Sequence, residues 1–161
     1  MSLNPLIFRA YDIRGIASLE DGSADLTPET MYVLGQGCGT YFQKKYGKRV
    51  VVGKDNRVTS DALYEAFVTG MLRTGAAITT IGYATSPMLY FATCAFDFDA
   101  GVNITASHNP KEYNGTKLVA KNAHSICGEE IQEILKIIET EEIAEGKGEL
   151  VTKEIFGDYD A

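Results

Sequence analysis

Short unbroken apolar runs alternate along this chain with longer stretches in which apolar residues recur every third or fourth position. The first kind predicts buried strands and the second amphipathic helices. Thr27-Pro28-Glu29 has the form of a helix start, with Thr27 as N-cap, proline at the first helical position and a carboxylate in the first turn. That helix is expected to run to Tyr46 and stop at Gly47. Val50-Val51-Val52, closed by Gly53, is β-branched throughout, as a strand covered on both faces should be. Ser60-Asp61 predicts the cap of a second helix, in which Leu63, Phe67 and Met71 share one side. Ala77 to Ile81 reads as the next strand, and Ser86-Pro87 opens a third helix carrying Met88, Leu89, Ala92 and Phe96. Ala100 to Thr105 and Thr116 to Val119 supply two more strands, and Ile131, Ile134, Leu135 and Ile138 give a last helix its apolar stripe.

Strand and helix in alternation imply an α/β domain, a largely parallel sheet with helices on both faces, and ligands at the carboxyl ends of the strands. The polar clusters obey that rule. Lys54-Asp55-Asn56-Arg57 follows the first strand, Tyr83-Ala84-Thr85 the second and Ser107-His108-Asn109 the third.

At 161 residues the chain suits one domain, expected over residues 1–161. No run approaches the roughly 18 apolar residues of a membrane span, and no charged-then-apolar leader opens the sequence, so a soluble cytoplasmic protein without a membrane partner is expected. The net charge of −7 is unevenly spread. Residues 1–128 hold 12 Lys or Arg against 11 Asp or Glu, whereas residues 129–161 hold 3 against 11. An acidic last helix and tail is a solvated face, and it argues against a nucleic-acid partner. Cys38, Cys94 and Cys127 are odd in number and far apart, which points to reduced, mostly buried thiols.

Candidate chemistry gathers in two strings. Thr105-Ala106-Ser107-His108-Asn109-Pro110 places a hydroxyl where a strand gives way to a turn, and Lys111 to Lys117 follows with an Asn114-Gly115 turn signal. Near the start, Tyr11-Asp12-Ile13-Arg14-Gly15 offers a guanidinium on another expected turn. Hydroxyl, imidazole, guanidinium and ammonium held this way suit phosphate. Alone, Ser107 is read more readily as a serine bonding locally within an Asn-Pro turn. His108 either shuttles a proton or pins that turn. Asp55 and Arg57 form an adjacent charge pair that either meets phosphate or buttresses the loop. His124 carries no motif and reads as structural or exposed. Gly15 and Gly115 are expected to admit positive φ.

Taken together, Arg-Ala-Tyr-Asp-Ile-Arg-Gly, Thr-Ala-Ser-His-Asn-Pro and Tyr-Asn-Gly-x-Lys resemble the first domain of the α-D-phosphohexomutases, from about Phe8 to Ile138. The opening resembles phosphomannomutase/phosphoglucomutase more than phosphoglucosamine mutase. The resemblance implies a three-layer α/β/α sandwich with a mixed sheet. It also implies an enzyme that moves phosphate between O1 and O6 of a hexose phosphate, mannose or glucose, through a phosphoserine and a bisphosphorylated intermediate. Ser107 would carry the phosphate, and His108, Lys117 and Arg14 would serve catalysis. Tyr11, Asn109 and Arg57 would bind substrate or phosphate.

Mg²⁺ would be held by the Ser107 phosphate, with glucose or mannose 1,6-bisphosphate as activator. The family's Asp-Gly-Asp-x-Asp metal loop, its sugar-recognition loop and its distal phosphate loop belong to domains II to IV, and this sequence holds none of them. Residues 156–161 stand where a linker into the second domain is expected. Such a domain is expected to be inactive alone and to self-associate through apolar surface. The alternative is a freestanding phosphate-binding or interaction domain without turnover.

Overall fold

Val51 and its neighbours Val50 and Val52 are fully buried because this strand lies in the middle of a sheet covered on both faces. The computed structural model describes residues 3–160; residues 1 and 2, and Ala161 at the end of the expected linker, lie outside them. Along the chain run β1 (Ile13–Ile16), α1 (Pro28–Lys45), β2 (Arg49–Lys54), α2 (Ser60–Leu72), β3 (Ala77–Tyr83) and α3 (Ser86–Ala95). They are followed by β4 (Ala100–Ile104), β5 (Tyr113–Ala120), β6 (His124–Ser125), α4 (Glu129–Glu139), β7 (Glu149–Thr152) and α5 (Phe156–Tyr159).

The strand order is β1-β5-β4-β2-β3-β7, with β6 also paired to β5. β7, β3, β2 and β4 run parallel, while β5 is antiparallel to β4, β1 and β6. The sheet is therefore mixed, with helices on both sides, as the resemblance implies. One face packs α1, α2 and α4 over Val50, Val52 and Val102, with Phe42, Phe67 and Ile134 in the same cluster. The other face packs α3 over Val51 and Val119 through Leu89 and Ala92. Helices α1 and α2 cross with backbones touching. A Cβ on Gly35 would collide with the carbonyl of Phe67, and one on Gly70 with that of Tyr32.

Helix α1 starts as its sequence predicts. Thr27 accepts from the Thr30 amide, and Thr30 accepts from the Thr27 amide in return. Other expectations are corrected. Thr59, not Ser60, is the N-cap of α2, and it makes no capping bond; the Ser60 hydroxyl is engaged elsewhere. The Arg14 segment is strand rather than turn, lying beside β5 with Arg14 opposite Gly115. Asn114-Gly115 also lies inside a strand, because the buried Asn114 side chain donates to the Thr59 and Ser60 hydroxyls and accepts from the Gly115 amide. Neither Gly15 nor Gly115 has positive φ. Both are needed for closeness: a Cβ on Gly115 would strike the Ile13 carbonyl, and one on Gly15 would come within 2.6 Å of Asp25 Cβ.

β1, β6, β7 and α5 have no counterpart in the apolar pattern. All four residues of β7 are exposed, so it carries no buried run to read, and α5 begins inside the expected linker. Leu6, Val58, Tyr83, Val151 and Phe156 are more than half exposed. No helix among the described residues is long and apolar enough to cross a membrane.

Candidate active site

Strand β4 ends at Ile104, and the chain turns at once into Thr105-Ala106-Ser107 above the carboxyl ends of the parallel strands. There a cleft of about 1060 Å³ opens, lined by Ser107, His108 and Asn109, by Asn56 and Arg57 after β2, and by Thr85 at the start of α3. This is the strand-end location expected from the alternation of elements. Ser107 sits at φ +53°, in the left-handed region that a residue with a Cβ rarely adopts. Such a conformation costs on the order of 1–3 kcal/mol and persists only when the surroundings impose it. Its hydroxyl is exposed, 3.4 Å from His108 Nδ1, a long contact that leaves Oγ free for a ligand.

The surroundings impose it through Arg57. A guanidinium has five N–H donors. Nε bonds Asp55, Nη1 donates to the carbonyls of Pro110 (2.7 Å) and Tyr113 (3.2 Å), and Nη2 to those of Ser107 (3.1 Å) and Asn109 (2.7 Å). All five donors are used within the protein. The phosphate contact expected of Arg57 therefore has no donor left to make it in this conformation, and the buttress reading of the Asp55–Arg57 pair matches the geometry.

Arg14 is 7% exposed. It pairs with Asp12 at 2.6 Å and donates from Nη1 to Asn109 Oδ1 at 3.0 Å, while its buried Nε has no partner. Tyr11 points its ring to solvent, but its carbonyl accepts from Lys117 Nζ at 3.3 Å. Lys117 also donates to Ser125 Oγ at 2.9 Å and is not among the residues lining the cleft. Thus Ser107, His108, Asn109, Arg57 and, through Asn109, Arg14 come together. Lys117 and Tyr11 are joined to each other instead.

At the end of β2, Lys54 pairs with Asp61 at 2.8 Å, which holds the Asp61 carboxyl below its usual range. His124 lies apart, 3.1 Å from Glu130. Burial raises the Glu130 pKa, but hydrogen bonds from Tyr46, Tyr41 and His124 outweigh it and hold that carboxyl low. Thr105, Ser60 and Asn114 are polar residues of the site to which the sequence assigns no role in it: Thr105 stands within the Ser107 string, Ser60 reads as a helix cap and Asn114 as part of a turn. Each is buried, which the apolar pattern cannot reveal.

The family model described as phosphoglucomutase/phosphomannomutase, alpha/beta/alpha domain I, matches residues 5–145. The chain belongs to this family. It is similar to a phosphoglucomutase of Neisseria gonorrhoeae, 36% identical over 155 residues, which covers 95% of this chain and 32% of that protein. A phosphomannomutase/phosphoglucomutase of Pseudomonas aeruginosa is 33% identical over 153 residues, 95% of this chain and 32% of its own. A probable phosphoglucosamine mutase of Pyrococcus abyssi is 44% identical over 116 residues, 72% of this chain and 25% of its own. A solved phosphoglucomutase/phosphomannomutase family protein from Burkholderia thailandensis superposes with a TM-score of 0.88 at 28% identity, over 98% of this chain and 35% of that one. The chain thus spans about a third of the length of these family members.

Proposed function

We propose that this chain is the catalytic-serine domain of a phosphohexomutase that interconverts hexose 1- and 6-phosphates of glucose, mannose or both. In the forward half-reaction the P–Oγ bond of phosphorylated Ser107 breaks, a P–O bond forms to the free sugar hydroxyl, and the hydroxyl proton passes to a base. The bisphosphorylated sugar turns over, and Ser107 Oγ takes the phosphoryl group from its other end. The observation that carries this reading is the Ser107 hydroxyl, held out in a strained backbone conformation into a strand-end cleft. Phosphoryl transfer asks chiefly for positioning and charge neutralisation.

His108 is the nearest candidate for moving the proton, with Nδ1 facing Oγ. Arg14 supports the reading with a buried, unpartnered Nε beside the loop. Lys117 would neutralise charge on the transferring group after leaving Tyr11 and Ser125. Bound Mg²⁺ would supply further neutralisation. Among the described residues no group of three or more His, Cys, Asp or Glu side chains is placed to hold a metal ion. A metal on the Ser107 phosphate would take its carboxylate ligands from outside these residues. The test is a mutase assay on a full-length protein carrying this domain and on residues 1–161 alone, each with Mg²⁺ and a hexose 1,6-bisphosphate. Turnover is expected only from the former; equal turnover by residues 1–161 would sink the proposal that other domains complete the site.

A further inference from the structure

Ser107 is gripped at both its amide and its carbonyl, and both grips lead to one carboxylate. On one side its amide donates to Thr105 Oγ1 at 2.9 Å, which leaves the Thr105 hydroxyl proton to donate to Asp55 Oδ2 at 2.8 Å. On the other its carbonyl accepts from Arg57, whose Nε is held by the same Oδ2 at 3.2 Å. Asp55 Oδ1 accepts from the Arg57 amide and from the Ser60 hydroxyl, and Ser60 in turn accepts from Asn114 of β5. Four donors therefore converge on Asp55, from the β2–α2 connection, the first turn of α2 and the Ser107 loop.

We infer that Asp55 is a positioning residue for phosphoryl transfer: it holds Ser107 in the left-handed conformation that aims Oγ into the cleft, and this role rests on reading Ser107 as the phosphoryl carrier. The chemistry admits no neutral substitute. Because every partner donates, an amide at position 55 sets an N–H₂ group against two donors, and the unit that holds both sides of Ser107 loosens. Asp55 lines the cleft, but its carboxylate is engaged by these four donors and none of its bonds reaches Ser107 Oγ, so its loss displaces the nucleophile rather than removing a catalytic group. A displacement of about 1 Å at a reacting centre lowers turnover roughly 10²-fold.

The experiment uses a full-length enzyme with Asp55→Asn, Thr105→Val and Thr105→Ser, measuring kcat and KM for hexose phosphate and the rate at which Ser107 gains phosphate from a hexose 1,6-bisphosphate in a single turnover. Asp55→Asn and Thr105→Val are expected to lower kcat and the phosphorylation rate by about 10-fold to 10²-fold, with KM within about 2-fold of wild type. Thr105→Ser keeps the hydroxyl relay and should restore kcat to within about 3-fold. A general loss of folded protein would not reproduce that rescue. Should Asp55→Asn not fold, Thr105→Val decides, since it leaves the carboxylate and Arg57 in place. Unchanged kcat in the folded variants, or a raised KM with kcat intact, overturns the role of Asp55 while the reading of Ser107 stands. Absence of phosphate on Ser107 in the wild type removes both.

Discussion

The α1–α2 crossing and the Ser107 loop both fix backbone tightly, by opposite means. At the crossing, two glycines remove the side chains that would separate the helices, and apolar packing by Phe42, Phe67 and Met71 does the rest. In the loop, one guanidinium donates to four backbone carbonyls, and a Cβ-bearing residue is kept at positive φ. Packing has many contributors, so damage there is expected to lower stability while leaving the site's shape alone. A hydrogen-bonded clamp has few, so damage there is expected to alter geometry with less change in stability.

Three changes separate these two behaviours. Ser107→Ala in a full-length enzyme should lower mutase activity by at least about 10³-fold, the scale on which loss of a covalent nucleophile is felt, with the melting temperature unchanged. Gly70→Ala forces a methyl against the Tyr32 carbonyl and should destabilise by about 1–3 kcal/mol in chemical denaturation, with activity per folded molecule preserved. Arg57→Lys replaces five planar donors by three on one nitrogen. It should reduce kcat by roughly 10-fold while moving the melting temperature less than Gly70→Ala does.

The smallest effect lies far from both regions. Because the Glu130 carboxyl is held low when folded, its stabilising contribution is complete above the ordinary carboxylate pKa and is lost as pH falls through the folded value. Wild-type melting temperature should therefore fall more steeply than that of Glu130→Gln between about pH 5 and pH 3. Equal slopes would remove the account of the Tyr41–Tyr46–His124 network, with no bearing on Ser107.

The same division explains what the sequence made legible. The apolar pattern located α1 to α4 and β2 to β5, since Val51, Leu34 and Ile134 announce burial by composition. It was silent on β7, whose residues are all exposed, and on β1, where Arg14 in a four-residue strand reads like a turn. Position at a strand end and the motif around it brought Ser107, His108 and Asn109 forward, and the cleft includes all three. The hydrogen-bond traffic could not be read. Nothing in Asp-x-Arg says whether the guanidinium faces a ligand or its own loop, and Asn-Gly signals a turn unless a buried partner such as Ser60 holds the asparagine in a strand.

Peptide mapping by mass spectrometry tests whether Ser107 carries phosphate, without reference to folding or assay conditions. A full-length protein containing this domain is incubated with glucose 1,6-bisphosphate, digested and mapped. One phosphorylated peptide spanning the Thr105–Pro110 segment is expected, with the phosphate on Ser107 and discharged by excess hexose monophosphate. Phosphate on any other residue, or a Ser107 peptide that stays unmodified in an active enzyme, contradicts that role for Ser107.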